Sequence, residues 1–354
     1  MKKLVLLIGF SFFFIAKINA QQVIAVQNGN TIFLYDNLDS AIISAKNGDT
    51  IYIPGGAFSL NTPISKRIYI YGVGHKPDSS ITNNYTIISS DIIILSAASQ
   101  GSITGIKCIG NLNFGNSQAT QNVNNFIISN CYIQGNLSLC FFDTTMAMNN
   151  VFIGNIFPAT INLYYSKGNA FYNNIFNLVK NIGESNLFRN NIFNMTGQTN
   201  YSDGYFWYGV MASFVNAAKS TFENNIFRGR LLSSNGYNIQ FRNCAFSNNL
   251  FANEGPSCTG CTDINSFVNQ PDSSIFVNYP IGQAFSYSLI YQLKLTSLGK
   301  NAGTDGTDIG IYGGTFPWDD SGQYGKPVIY HKKVSPTSTN DGKLKVEYKV
   351  RAGN

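Results

Sequence analysis

The sequence predicts an all-β solenoid, a coil built from stacked parallel strands. Three observations predict it. A hexapeptide recurs as Phe171-Tyr-Asn-Asn-Ile-Phe176, Phe188-Arg-Asn-Asn-Ile-Phe193, Phe222-Glu-Asn-Asn-Ile-Phe227 and Phe241-Arg-Asn-Cys-Ala-Phe246, with weaker copies at Ile128 to Ile133 and Phe246 to Phe251. Its closing Phe advances by 17, 34 and 19 residues, so one unit takes 17 to 19 residues and the double step implies a degenerate copy near Tyr208 to Phe214. A unit that short cannot bury its own apolar face and must stack on its neighbours. The apolar positions also lack a helical period and are rich in β-branched and aromatic side chains, which makes the stacked element a strand. Finally, 44% of the 354 residues are hydrophobic and only 12% charged, against roughly 25% charged in ordinary soluble domains. The chain therefore has core material for one long coil and is not a charge-rich disordered polymer.

The elements follow in order. Met1 to Ala20 reads as a secretory signal: Lys2 and Lys3 are the basic start, Leu4 to Ala16 the apolar stretch, and Ile18-Asn19-Ala20 the small-residue exit. That stretch is shorter than the roughly 20 residues a bilayer span requires, and no second such run follows. The expectation is a secreted protein with no transmembrane segment after signal removal, beginning at Gln21. Asn37 is placed to cap a short helix, Leu38 to Lys46, with Ala41, Ile42 and Ala45 on its apolar face and Gly48 at its exit. This helix is expected to cap the first rung and hide its edge. Strands follow at Gly48 to Gly56, Ile68 to Tyr71 and Ile92 to Leu95.

Asn supplies 30 of residues 101 to 250. Each Asn pair separates two apolar pairs and breaks strict alternation, as a corner between strands would. Asn tolerates the left-handed conformation there, and its amide can hydrogen-bond from rung to rung. Stacking in this phase puts Phe171, Phe188, Phe222 and Phe241 in one internal column, and Ile175, Ile192, Ile226 and Ala245 at another place of the rung.

Without the leader, 21 basic residues face 18 acidic ones, a net charge of +3. Seven of those basic residues and two of the acids lie in Gly325 to Asn354, so the remainder carries about −2 and nucleic acid is not an expected partner. Residues 319–354 form a basic β tail: a turn-rich linker, then strands at Pro327 to Val334 and Lys343 to Val350. The six Cys allow fifteen disulfide pairings. Cys258-Thr-Gly-Cys261 sits among Gly, Pro, Ser and Asn, where a small loop-closing disulfide fits better than a helix-opening redox motif.

The run Leu38-Asp-Ser-Ala-Ile-Ile-Ser-Ala-Lys-Asn-Gly-Asp-Thr-Ile-Tyr-Ile-Pro-Gly-Gly56 resembles the opening of the right-handed parallel β-helix proteins of the pectin-lyase-like superfamily. Gly101-Ser-Ile-Thr-Gly-Ile106 is similar to their next rungs. Gly303-Thr-Asp-Gly-Thr-Asp-Ile-Gly-Ile-Tyr-Gly-Gly314, with Phe316-Pro-Trp318, resembles the close of secreted bacterial members. The resemblance implies a right-handed parallel β-helix over residues 21–318. It does not select an activity, because the superfamily holds lyases, hydrolases, epimerases, adhesins and surface proteins.

Lyases of this superfamily use a basic side chain to take a sugar-ring proton, and acidic residues to hold calcium against the uronate. Calcium needs several oxygen ligands. Between Gly101 and Gly255 the acids are Asp143, Glu184, Asp203, Glu223 and Glu254, with no Asp-rich cluster, so Ca2+ is implied only if the chain is a lyase. No other cofactor or metal is expected, since His75 and His331 are the only His residues. Hydrolases need paired carboxylates within about 10 Å, and rungs lie about 4.8 Å apart. Aligning the repeats puts Tyr172, Arg189, Glu223 and Arg242 in one outward column, with Glu223 one rung from Arg242 and two from Arg189. Arg189, Glu223 and Arg242 are thus the catalytic candidates, with a surface ion pair as the competing reading.

Tyr201-Ser-Asp-Gly-Tyr-Phe-Trp-Tyr208 departs from the repeat and gathers Tyr201, Tyr205, Trp207 and Tyr208, rings suited to packing on sugar C–H faces or to forming a lid. Arg228 and Arg230 are placed to meet a uronate or sulfate. The function expected is non-catalytic recognition of extracellular or cell-surface polysaccharide, or a structural surface role. The alternative is a polysaccharide lyase or glycoside hydrolase.

Overall fold

The computed structural model describes residues 23–77, 85–115, 121–140, 146–163, 166–180, 182–194, 217–228, 241–252, 255–256, 258–280, 283–320, 328–338 and 344–351. The expected signal segment lies outside them. Among these residues the chain is all-β apart from one α-helix and short 3-10 turns. It opens with an antiparallel hairpin, β1 (Ile24–Asn28) and β2 (Thr31–Tyr35). Next comes α1 (Leu38–Ser44), whose N-cap Asn37 accepts from the Ser40 amide at 2.8 Å. The sequence predicts this helix to run to Lys46. It stops two residues earlier because Ala45 turns extended and the Lys46 amide is taken by Asp49 Oδ2 at 2.8 Å. Leu38, Ala41 and Ile42 are buried in the main core.

β1 also pairs antiparallel with β3 (Thr50–Tyr52), and beyond β3 this first sheet is wholly parallel. Its successive strands are Tyr69–Tyr71, Ser102–Thr104, Ile127–Ser129, Val151–Ile153, Ala170–Tyr172, Leu187–Arg189, Thr221–Glu223, Ala245–Ser247 and Thr262–Ile264. A second parallel sheet stacks Gly56–Phe58, Thr86–Ile88, Lys107–Cys108, Tyr132–Ile133, Ile156–Asn162, Ile175–Lys180, Ile192–Phe193, Ile226–Phe227 and Leu250–Phe251. A third ladder carries Ala217–Ala218, Phe241–Arg242 and Cys258–Thr259, extended backwards by bridges through Glu184, Lys167 and Met148.

Each turn of the coil follows one grammar. A residue at positive φ makes the corner between the first and second sheets: Asn130, Gly154, Asn173, Asn190, Asn224 and Asn248, all between 49° and 60°. The residue after it faces inward. The Asn pair of the repeat is therefore one outward left-handed corner followed by one buried carboxamide. At Gly154 the side chain is dispensed with, since a Cβ there would lie 2.5 Å from Asn130 Oδ1.

The buried members form a ladder. Asn155, Asn174, Asn191, Asn225 and Asn249 stack so that each Oδ1 from Asn174 onward accepts the backbone N–H and a side-chain N–H of the previous rung at 2.9–3.1 Å, while Asn155 Oδ1 accepts the Cys131 backbone N–H at 2.9 Å. The second amide proton of each goes to a main-chain carbonyl, as from Asn191 to Phe171 at 2.9 Å. The corner entering the first sheet carries a parallel ladder of Asn150, Asn169 and Asn186, continued by Ser220, Cys244 and Cys261.

Two Phe columns fill the interior. Phe152, Phe171, Phe188, Phe222 and Phe246 stack at 4.7–5.0 Å between centroids. Phe157, Phe176, Phe193, Phe227 and Phe251 stack at 4.6–5.6 Å. The first column ends at Asp263, which is exposed and in register with Phe246.

These columns correct the predicted phase twice. Phe241 does not join Phe222: it lies in the third ladder opposite Ala217 and Cys258, and the in-phase copy is Phe246 to Phe251. Ala245 likewise pairs with Thr221, not with the Ile column. The 34-residue step is also one rung rather than two, because Phe188 stacks directly on Phe222. The residues in between, 195–216, lie outside the described residues.

A second core lies outside the second sheet, where Ile175, Ile192, Ile226 and Leu250 are covered by Ile275, Phe276, Tyr279, Tyr291, Leu293, Ile309 and Ile311. At the end of the chain Val328–Ser338 and Leu344–Arg351 pair as an antiparallel hairpin, longer than the sequence predicts.

The ladder makes a quantitative prediction. Asn191→Ala deprives the Asn174 amides and the Phe171 carbonyl of their partners, all in a dry interior. Each stranded group costs roughly 1–3 kcal/mol, so the variant should lose about 3–5 kcal/mol, read as a drop in thermal midpoint and in denaturant resistance.

Candidate functional site

Arg189 and Glu223 are Cα partners on adjacent rungs. Arg189 donates to Glu223 Oε2 through Nε at 2.9 Å and Nη2 at 2.5 Å. The other oxygen, Oε1, accepts from the Thr304 hydroxyl. Both carboxylate oxygens are thus engaged, and the Glu223 side chain is only 13% exposed. Arg242 is not in this column. It sits on the third ladder opposite Ala218 and Thr259, and its expected place beside Glu223 is taken by Ser247. The catalytic trio therefore resolves into one ion pair and a separate arginine, because the repeat copy containing Arg242 is out of phase.

The segment covering that ion pair is strapped down by the corner asparagines. Asn248 donates to the Ala302 carbonyl at 2.7 Å, and Asn224 exchanges hydrogen bonds with Thr304 at 2.9 and 3.1 Å. Asn190 donates to Gly310 O at 3.2 Å and Asn173 to Gly313 O at 2.7 Å. Four successive rungs thus grip one stretch of main chain by side chains that the left-handed corner points outward.

Arg228 is 0% exposed, which overturns its placement as a surface anchor for a uronate. Asp272 receives its Nε and Nη2 at 2.6 Å each, Asn194 Oδ1 receives Nη1 at 2.8 Å, and the Tyr279 carbonyl receives Nη2 at 2.8 Å. The guanidinium also lies 4.1 Å from the Tyr279 ring centroid. It pins the second core to the coil. Tyr201, Tyr205, Trp207, Tyr208 and Arg230 lie outside the described residues.

Sequence reasoning missed a different aromatic assembly. Tyr132 stands outward on the second sheet, with Lys107 Nζ from the preceding rung 5.3 Å from its ring centroid. Phe285 and Tyr287 approach it edge-on at 5.9 and 6.3 Å. His75 stacks on Tyr287 at 5.9 Å and meets Trp318 at 6.4 Å. The Tyr287 hydroxyl donates to the His75 carbonyl at 2.9 Å and contacts Nδ1 at 2.8 Å. Phe285 stacks in turn on Tyr291 at 5.3 Å, and the Tyr291 hydroxyl closes its own loop by accepting from Ser286 N and donating to Ser286 O, both at 2.9 Å.

Tyr132, Phe285, Tyr287 and Trp318 are each half-buried, so one part of each ring is held by the protein and another part faces solvent. Burial raises the Tyr132, Tyr279 and Tyr291 phenols above the ordinary tyrosine value, which keeps them neutral hydroxyls. Two recesses meet at Phe285. One of about 40 Å³ is bordered by Ile156, Pro158, Asn194 and Tyr279, and one of about 20 Å³ by His75, Lys76, Tyr287 and Trp318. Neither is large enough for a sugar ring, so the assembly offers a contoured aromatic wall. Lys76, Asp319 and Asp320 edge it, Lys76 donating to the Asp320 carbonyl. Among the described residues no group of three or more His, Cys, Asp or Glu is placed to hold a metal ion, and no helix is long and apolar enough to cross a membrane.

Compared with known protein families, with curated proteins and with solved structures, the chain matches none.

The buried Arg228 can be tested against the exposed pair Lys167 and Glu184, 3.8 Å apart with both side chains about half exposed. Asp272→Ala leaves a guanidinium uncompensated in the interior and should cost about 3–5 kcal/mol. Glu184→Ala should cost under about 1 kcal/mol. Thermal denaturation of the two variants side by side reads the difference.

Proposed function

We propose that this protein is an exported, right-handed parallel β-helix of the pectin-lyase-like kind, capped by α1, that binds extracellular or cell-surface polysaccharide without cleaving it. The binding surface is the wall formed by Tyr132, Phe285, Tyr287 and Trp318. The observation that supports this reading is the convergence of four half-buried rings, from three segments distant in sequence, on one rigid face. Aromatic faces pack on the C–H faces of sugar rings, and rings already fixed by their neighbours lose little entropy on binding. Shallow recesses suit a polymer lying across the surface better than an enclosed small molecule.

The non-catalytic part of the reading is supported by Glu223. Glu223 Oε2 accepts two N–H groups of Arg189 and Oε1 accepts the Thr304 hydroxyl, which is the arrangement of a structural ion pair rather than of a carboxylate held open for a water or a sugar proton.

Affinity electrophoresis of the chain from Gln21 against acidic and neutral polysaccharides, with and without calcium, tests both parts. Retardation by at least one polymer, without new unsaturated or reducing ends, is the expected result. Trp318→Ala and Tyr287→Ala should each weaken binding by about tenfold, equivalent to about 1.4 kcal/mol, with an unchanged circular dichroism spectrum. Loss confined to Trp207→Ala would move the site to the segment Tyr201 to Tyr208, and product formation would overturn the non-catalytic reading.

A further inference from the structure

Three of the six cysteines gather at the last two rungs. Cys244 and Cys261 hold the same place in successive turns, each immediately before a first-sheet strand, with Thr262 N donating to Cys244 O at 3.0 Å. They end the column that begins Asn150, Asn169, Asn186 and Ser220, so thiols stand where the buried carboxamides of earlier rungs stand. Each turns its sulfur toward the carbonyl two residues back, Cys244 to Arg242 at 3.6 Å and Cys261 to Thr259 at 4.0 Å. Cys258 enters the same corner from the third ladder, in register with Phe241, and the left-handed Gly260 at φ 67° folds it back toward Cys261. The Cys261 thiol lies close enough to both Cys258 and Cys244 to raise their thiols. Accessibility grades along the trio: Cys258 is exposed, Cys261 partly buried, and Cys244 2% exposed.

We propose that these three residues form one oxidation site in which Cys261 is the shared partner of two alternative disulfides, Cys258–Cys261 at the surface and Cys244–Cys261 between rungs. In-register neighbours on adjacent rungs lie about 4.8 Å apart, within the roughly 4.4–6.8 Å between Cα atoms that a disulfide spans. The oxidant is a small-molecule disulfide. Cys258, the accessible member, attacks one of its sulfurs as the thiolate, the S–S bond breaks, and one thiol leaves; burial and the neighbouring Cys261 raise the Cys258 thiol, so this step is faster as pH rises. The Cys261 thiolate then attacks the Cys258 sulfur, forming the protein disulfide and expelling the second thiol, so two protein thiols lose two protons and two electrons that the reagent gains. Attack by the Cys244 thiolate on Cys261 exchanges one pairing for the other with no net oxidation and returns Cys258 as a thiol. Burial pushes the Cys244 thiol up to about 11, which makes this exchange faster as pH rises.

The remaining cysteines serve as internal references. Cys108, Cys131 and Cys140 lie inside the coil, their thiols raised by burial to about 12, 12 and 11.

The experiment is to incubate the folded chain with oxidised glutathione, quench with acid, and map cysteine-containing peptides by mass spectrometry. One disulfide per chain is expected, always containing Cys261, with Cys108, Cys131 and Cys140 recovered as thiols. Cys244→Ser should give only Cys258–Cys261, and Cys258→Ser only Cys244–Cys261, more slowly. Cys261→Ser should leave no disulfide within the trio and a glutathione adduct on Cys258. A wild-type chain without a disulfide at this corner overturns the proposal. So does a Cys244–Cys258 bridge in Cys261→Ser, or the absence of a bridge in Cys258→Ser. The wild-type map decides even where a serine variant folds poorly.

Discussion

A buried carboxamide brings two N–H donors and a strongly accepting oxygen into a medium with no water to meet them. Inside this coil, the group that meets them is the main chain and side chain of the same corner one turn away. Asn174, Asn191 and Asn225 each give one amide proton to the next side chain and the other to a carbonyl, and each oxygen takes two donors from the turn before. The arrangement works only when successive turns hold register to within a hydrogen bond. A slip by one residue would replace each partner with an apolar side chain and leave several polar groups dry, at roughly 1–3 kcal/mol apiece. The ladder therefore dictates what else is allowed: which residue turns the corner, where the phenylalanines stack, and where extra residues are tolerated. Among the described residues the ladder runs unbroken from Asn191 to Asn225, although the two are 34 residues apart in sequence.

That logic also explains what the sequence made legible. The Asn pair announced a corner and a ladder because its two members do different jobs that no other pair does as well: left-handed φ outside, amide satisfaction inside. The internal column was legible from Phe171, Phe188 and Phe222. The phase of the last copies was not. Phe241 to Phe246 and Phe246 to Phe251 overlap by one residue and both fit the pattern, and only the pairing of Phe246 with Phe222 separates them. Arg242 was assigned with the wrong copy, and the catalytic column went with it. The 34-residue step misled for a related reason, since spacing records chain length and not the number of rungs.

The aromatic wall was illegible for a different cause. His75, Tyr132, Tyr287 and Trp318 span most of the chain, belong to no repeat, and meet only because the segment from Ile275 onward folds back over the second sheet. Arg228 shows the same effect in reverse: a charged residue just beyond a repeat reads as a surface cation, yet the returning chain supplies Asp272 and encloses it. The returning segment thus acts twice. It builds the second core and the wall, and it covers the column where Arg189 and Glu223 stand side by side.

The two ends of the coil are chemically unlike. At the start, β2 leaves Ile32 and Leu34 more than 60% exposed. At the finish, the stack of phenylalanines stops at Asp263, a carboxylate standing where the next ring would go. Another coil laid on that end would have to bury an anion against its own aromatic column, a desolvation that stacking contacts do not repay. The first phenylalanine column is thereby closed by a carboxylate, so that this end of the stack, unlike the end of a cross-β fibre, resists the addition of another rung.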